Sequence, residues 1–144
     1  MTDTFYNFEL DARLAADTFP LCQSDMSLLL VMRDARFPWI VLVPKRGGLF
    51  DLVDLTPTDE SAVMADQRAV AERLKRETGC DKLNIASLGN KVRQLHIHII
   101  ARFENDEAWP GPVWGVGTPE PMMTLPAWAQ SVRNRLVTND WSAA

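Results

Sequence analysis

Apolar positions along this chain follow two periods, one typical of strands and one typical of helices. Two apolar runs rich in β-forming residues cover 27–32 and 39–44, and the segment 34–38 between them has the composition of a turn. Together these segments predict a β-hairpin. An earlier segment, 11–17, has helical composition and predicts a short first helix.

A longer helix is predicted over residues 57–78. Thr56 offers a capping side chain, Pro57 takes the first helical position, and Gly79 is placed to end the helix. An apolar stripe repeats at helical spacing and should face the core, while charged residues should face water. The stripe consists of Val63, Val70 and Leu74, and the charged residues are Glu60, Asp66, Arg73 and Lys75.

A second hairpin is predicted from a strand over 82–88, a turn at Gly89 and Asn90, and a strand over 92–102. Because side chains alternate between the two faces of a strand, one face of the second strand should be core and the other a site. The core face carries Leu95, Ile97, Ile99 and Ala101, and the site face carries Gln94, His96, His98 and Ile100.

The C-terminal part combines an irregular loop with a last helix. Residues 105–125 are rich in proline and include Trp109 and Trp114, which predicts a loop. This loop could close over the site, remain exposed or pack in a dimer. A helix is predicted over 127–137, with apolar residues at i, i+4 and i+8, namely Trp128, Val132 and Leu136.

Length and charge narrow the classes of function. The chain has 144 residues, 47% of them hydrophobic, which predicts a single domain over 1–144. With a net charge of -4, the protein as a whole should repel nucleic acid and anionic membranes. An anionic ligand would therefore have to bind at a local basic patch. Residues 1–20 show no secretion pattern and the apolar runs are too short to cross a bilayer, so we expect a cytoplasmic protein with free thiols.

The two histidines of the chain lie two positions apart on one face of a predicted strand. Imidazole is neutral and nucleophilic near pH 7 and can carry a phosphoryl group, and a second imidazole could donate to a phosphate oxygen. Two alternatives stay open. The histidines could line a solvated sheet face, or they could hold zinc, iron or manganese with a carboxylate or thiolate. Basic residues near the strand could gather phosphate: Lys82, Lys91, Arg93 and Arg102.

The segment N-K-V-R-Q-L-H-I-H-I-I-A-R at 90–102 resembles the signature strand of the histidine-triad superfamily, in which three histidines alternate with apolar residues. In this resemblance His96 matches the middle, nucleophilic histidine, His98 matches the third, and Gln94 replaces the first. The segment W-I-V-L-V-P-K-R at 39–46 is similar to an earlier strand of the family. The resemblance covers roughly residues 25–103.

The resemblance implies an α+β fold in which an antiparallel sheet of about five strands packs on one long helix, with a C-terminal helix added. It implies a homodimer formed by continuing the sheet. It also implies three residues that face the nucleotide or its phosphate, namely Asn84, Asn90 and Asp34, and Asp34 could equally be an ordinary turn residue. Lys91 stands where many members have a serine or threonine, and it joins the predicted phosphate-binding residues as one of the basic side chains near the strand. Many members have a histidine where this chain has Trp39.

The activity implied is hydrolysis or transfer at the α-phosphate of a nucleotide conjugate, without a metal or cofactor. His96 would form a nucleotidyl-histidine and His98 would stabilise the transferring phosphate. Gln94 can orient a group but cannot relay a proton, which favours dinucleoside polyphosphates over nucleoside phosphoramidates. The alternatives are a nucleotide-binding or regulatory module with little turnover and, third, a metal-dependent enzyme.

Overall fold

Six strands form one antiparallel sheet in residues 7–144, the part of the chain that the computed structural model describes. The strand order is β4-β5-β3-β2-β1-β6, and three α-helices accompany the sheet. The elements in chain order are α1 (Ala12–Asp17), β1 (Thr18–Gln23), β2 (Ser27–Met32), β3 (Trp39–Pro44), α2 (Pro57–Thr78), β4 (Lys82–Ala86), β5 (Ile97–Arg102), α3 (Ala127–Val137) and β6 (Ser142–Ala143).

Helix α2 has the bounds that the sequence predicts. The hydroxyl of Thr56 accepts a hydrogen bond from the main-chain N–H of Asp59, and Gly79 ends the helix in the left-handed conformation at φ 64°. Glycine adopts that conformation without the steric cost that a Cβ would bring. The predicted stripe of Val63, Val70 and Leu74 is fully buried against the sheet.

The first hairpin and both smaller helices are also confirmed, whereas the number of strands is larger than predicted. Strands β2 and β3 pair from Ser27 opposite Pro44 to Val31 opposite Ile40. Strand β1 was not predicted, since Pro20 interrupts it and its pairing shifts register between Pro20 and Cys22. Strand β6 has two residues, too few to produce an alternating pattern.

The second hairpin exists and its second strand ends at Arg102 as predicted, but the predicted turn at Gly89 and Asn90 and the predicted start of that strand at 92 are wrong. Strand β4 pairs with β5 from Lys82 opposite Arg102 to Ala86 opposite His98, and a loop over 87–96 joins them. The loop backbone bonds elsewhere, because the N–H of Leu95 donates to the carbonyl of Leu49. Apolar alternation continues through the loop and therefore makes the strand look longer than it is.

The two faces of β5 differ as the alternation predicts. Leu95, Ile97, Ile99 and Ala101 belong to the main core beneath α2 and α3. Ile100 belongs to a second, smaller apolar cluster on the opposite face, and both histidines lie on that face. The site face is therefore more apolar than predicted. Its cluster consists of Leu14, Leu30, Phe37, Trp39, Val41, Val43, Ile100 and Val113.

Two arginines attach the loop that follows β5 to the site face. Arg102, 1% exposed, binds both carboxylate oxygens of Asp106. Arg36 binds Glu107 and the carbonyl of Val116. Val113 of this loop is buried in the apolar cluster of the site face, so this part of the loop packs against that face. Among residues 7–144, no helix is long and apolar enough to span a bilayer.

Candidate active site

A cavity of about 610 Å³ opens beside the two histidines. Its size falls in the range of about 300–1,000 Å³ that is typical of small-molecule sites. Apolar side chains form much of its wall, among them Leu14, Met32, Trp39, Val92 and Trp114. The polar groups are few and gathered, as expected for a site that orients one ligand: Arg13, Asp17, Asn90, Lys91, His96 and His98.

The ring of His96 is held by a main-chain carbonyl. Its Nδ1 lies 2.7 Å from the carbonyl oxygen of Gln94. A carbonyl oxygen can only accept a hydrogen bond, so the neutral ring must carry its proton on Nδ1. The lone pair of His96 is therefore on Nε2, which makes no hydrogen bond within residues 7–144.

The Nδ1 atom of His98 accepts a hydrogen bond, whereas that of His96 donates one. The indole N–H of Trp39 donates to Nδ1 of His98 over 2.9 Å. Because an indole can only donate, Nδ1 must be the unprotonated nitrogen and Nε2 must carry the proton. Burial, and secondarily the neighbouring His96, lower the pKa of His98 to about 4, so the ring is neutral at pH 7.

Trp39 lines the cavity and contacts His98, although the sequence did not predict it as a site residue. The sequence marks it as a departure from a family pattern, without a role. The strand register brings Trp39 to this site, because Trp39 stands opposite Ile100 and Val41 stands opposite His98 on the same face. Trp114 from the loop after β5 completes an aromatic wall, with its ring centroid 5.8 Å from Trp39 and 5.1 Å from His98.

Some of the other predicted site residues line the cavity, and the rest form hydrogen bonds outside it. Asn90 and Lys91 line the cavity with the histidines. Asn84 lies on β4 outside the cavity lining and accepts a hydrogen bond from Arg102 over 2.7 Å. The Gln94 amide binds the main chain of Glu9 and Asp11, so its side chain holds the segment before α1.

Asp34 lines a neighbouring cavity of about 300 Å³ rather than the histidine cavity. Its carboxylate forms a buried ion pair with Arg36 and accepts the N–H of Glu120. Burial opposes the charge on Asp34, but these bonds outweigh it and lower the pKa of the carboxyl. Within the described part of the chain, no group of three or more histidine, cysteine or acidic side chains could hold a metal ion.

Replacing Trp39 with phenylalanine should let His98 take either tautomer, because one orienting hydrogen bond is lost. Ring ¹⁵N shifts measured by NMR should show His98 protonated on Nε2 in the native protein and a mixture of tautomers in the variant. Trp109→Phe, which removes an indole outside the cavity lining, is the control and should leave the His98 shifts unchanged. Identical His98 shifts in native protein and Trp39→Phe would refute this role.

Comparisons with known proteins show the family and the fold of this chain. The model of the HIT domain family matches residues 13–105. A histidine triad (HIT) protein from Sinorhizobium meliloti 1021 is 41% identical over 90% of this chain and 98% of its own, with a TM-score of 0.85. The search of curated proteins found no match.

Two further solved structures are similar over most of the chain. A histidine triad protein from Bradyrhizobium japonicum is 41% identical over 88% of this chain and 96% of its own, with a TM-score of 0.84. A histidine triad protein from Marinobacter aquaeolei VT8 is 40% identical over 90% and 93%, with a TM-score of 0.81. The α+β architecture predicted from the sequence is thus found in related proteins.

Proposed function

This chain belongs to the HIT domain family, and on that premise we propose that it is a hydrolase or nucleotidyl transferase of nucleotide conjugates. The reaction takes place at the α-phosphate, and His96 carries the nucleotidyl group as a covalent intermediate. Water is the preferred final acceptor, which makes hydrolysis the main outcome.

The observation that carries this proposal is the opposite tautomers of the two histidines. The Gln94 carbonyl leaves His96 with a lone pair on Nε2, which is what a nucleophile needs. The Trp39 indole leaves His98 with a proton on Nε2, which is what a donor to a phosphate oxygen needs. The two ring centroids are 4.9 Å apart, so one phosphate can contact both rings.

The first step forms a bond from Nε2 of His96 to the α-phosphorus. The bond from phosphorus to the leaving group breaks, and its electron pair goes to the leaving group. Positive charge develops on the His96 ring, and the Gln94 carbonyl at Nδ1 stabilises it. His98 donates its Nε2–H to a non-bridging oxygen, where negative charge accumulates.

The second step releases the nucleotide. The oxygen of a water molecule attacks phosphorus, the phosphorus–nitrogen bond breaks, and its electron pair returns to Nε2 of His96. The attacking water gives up a proton to solvent. Lys91 and Arg13 at the cavity provide positive charge for the phosphates in a protein whose net charge is -4.

The leaving group is a polyphosphate rather than an amine. A phosphate leaving group departs as an anion, whereas the amine of a phosphoramidate must be protonated as it leaves. Gln94 replaces the imidazole that could supply that proton, and its amide is bonded to Glu9 and Asp11. Gln94 takes part in the reaction through its main-chain carbonyl, which orients His96.

A cleavage panel tests this function. The native protein is incubated in excess chelator with a dinucleoside polyphosphate, an adenosine phosphoramidate and ATP, and the products are separated by chromatography. We expect chelator-resistant release of nucleoside monophosphate, fastest from the dinucleoside polyphosphate. Turnover that requires added metal would contradict the histidine mechanism.

A nucleotide-binding module with little turnover is the second candidate, favoured by the engaged Gln94 amide and by Trp39 in place of a histidine. The two candidates differ in one measurement. If calorimetry detects adenosine monophosphate binding while every conjugate survives prolonged incubation, the protein is a binding module.

We further propose that the protein works as a cytoplasmic homodimer. Strand β4 is at one edge of the sheet, and Ile85 on this strand is 41% exposed. An edge strand can continue its sheet into a second copy, which would cover such a side chain. Light scattering should give twice the chain mass, and a monomer at micromolar concentration would refute the dimer.

A further inference from the structure

The ring of His98 is enclosed by aromatic rings from three parts of the chain. The ring centroid of Trp39 on β3 lies 5.6 Å from that of His98, and the centroid of His96 lies 4.9 Å away. Trp114, from the loop after β5, is the third neighbour, at 5.1 Å and an interplanar angle of 74°. Aromatic rings prefer such edge-to-face contacts, which fix their relative orientation. A residue of that loop therefore helps to hold His98, which is only 5% exposed.

The backbone beside Trp114 fits around an arginine side chain. Gly115 and Gly117 both adopt the left-handed conformation, with φ of 77° and 56°, on either side of Val116. Between these two bends, the carbonyl of Val116 accepts a hydrogen bond from Nη1 of Arg36 over 2.6 Å. A Cβ added at Gly117 would lie 3.1 Å from that same nitrogen. The loop is thus bound to Arg36 only two residues from Trp114.

Arg36 is itself fixed by a buried carboxylate. Its Nε and Nη2 donate to the two carboxylate oxygens of Asp34 over 3.0 and 2.8 Å, and both side chains are more than nine-tenths buried. The same carboxylate accepts the N–H of Glu120 over 3.2 Å, and the Glu120 carbonyl accepts the N–H of Ala35 over 2.9 Å. Asp34 and Arg36, here called the clamp, therefore hold the loop at two points, Val116 and Glu120.

We propose that Arg36 is a positioning residue for the reaction, which acts on His98 through the loop segment that carries Trp114. This inference rests on the proposed function, in which the Nε2–H of His98 donates to a phosphate oxygen. With the clamp formed, Trp114 excludes water from His98 and keeps the plane of its ring fixed, as a preorganised donor requires. Without the clamp, this end of the loop is released and His98 loses one of its three aromatic neighbours.

The coupling between the clamp and His98 can be measured without substrate. Burial, and secondarily His96, hold the pKa of His98 at about 4 in the native protein. Titration followed by ring NMR should show this pKa move towards the ordinary value of 6.5 in Arg36→Met and in Trp114→Ala, because water reaches the ring in both. These variants retain the charged groups that line the cavity, namely Arg13, Asp17 and Lys91.

Two further variants separate the clamp from a change of charge and from a failure to fold. Arg33→Met also removes a cation from the segment after β2, but Arg33 bonds to β1 instead of the loop, so the His98 pKa should stay unchanged. Gly117→Val retains the buried ion pair and places a β-branched side chain at a positive φ, which such residues rarely adopt. It should raise the His98 pKa even if Arg36→Met does not fold.

A double-mutant cycle tests the link to catalysis. Arg36→Met and Trp114→Ala should each lower kcat for a dinucleoside polyphosphate by roughly 10- to 100-fold, the usual cost of slightly misplacing a catalytic group. The double variant should be no slower than the slower single variant, because both changes remove the same contact to His98. Two effects that multiply in the double variant would show that the residues act independently and would overturn the proposal.

The outcomes also distinguish this inference from the proposed function. A native protein that cleaves conjugates, with a His98 pKa that is unchanged in Trp114→Ala and Gly117→Val, would overturn the inference alone. A native protein that cleaves no conjugate would overturn the proposed function, and this inference with it.

Discussion

Replacing His96 with alanine is expected to lower kcat/KM for nucleotide conjugates by about a thousandfold or more. Without Nε2 the protein has no group that can form the covalent intermediate, and the remaining donors cannot replace a nucleophile. Steady-state kinetics on a dinucleoside polyphosphate measures the effect. The variant should still bind nucleoside monophosphate, because His98, Lys91 and the apolar wall remain.

Two controls distinguish the loss of a nucleophile from the loss of a folded site. Arg68→Met changes an exposed side chain on α2, 82% exposed and paired with Glu72, and should leave turnover unchanged. His96→Gly leaves space for free imidazole, which should restore part of the activity if a nucleophilic nitrogen is all that is missing. Turnover of His96→Ala within tenfold of the native rate would contradict the proposed role.

Replacing Arg102 with methionine is expected to lower the free energy of unfolding by about 3–5 kcal/mol, the usual cost of leaving one partner of a buried ion pair alone. Arg102 binds both oxygens of Asp106 and donates to Asn84, and its side chain is 1% exposed. Its loss leaves a buried carboxylate without its cation. Urea unfolding measures the change, with Arg68→Met as the control that should alter stability by less than about 1 kcal/mol.

The stability that this ion pair gives to the fold should depend on pH. The Arg102 hydrogen bonds hold the pKa of Asp106 at about 2, below the ordinary value of 3.8. A lowered pKa stabilises the fold above the ordinary value, and that stabilisation is lost as pH falls towards about 2. Native protein should therefore lose stability between about pH 5 and pH 2, and Arg102→Met should lose less over that window. Equal stability of the two proteins at pH 7 would contradict the importance of this pair.

The parts of the fold that depend on neighbouring residues could be predicted from the sequence. Helix α2 has the predicted bounds because its capping threonine, its first-turn proline and its terminal glycine act within a few residues of each end. The two faces of β5 were also predictable, since alternation between faces is a local property of a strand. His98 lies on β5 and His96 immediately precedes it, and both line the same cavity.

The parts that depend on distant residues could not be predicted in the same way. The partner of His98 is 59 positions away along the chain, on a strand whose register the sequence does not specify. The Gln94 side chain binds Glu9 and Asp11, more than eighty positions earlier. The family resemblance predicts that Asp34 faces the nucleotide, but Arg36 and the loop after β5 engage its carboxylate oxygens.

The stereochemical course at phosphorus tests the covalent intermediate most directly. A dinucleoside polyphosphate made chiral at the α-phosphorus with sulfur and an oxygen isotope is hydrolysed, and the configuration of the product is determined by ³¹P NMR. Attack by His96 followed by attack by water is two displacements, so we expect overall retention. Overall inversion would show a single direct attack by water and would contradict the nucleotidyl-histidine on His96.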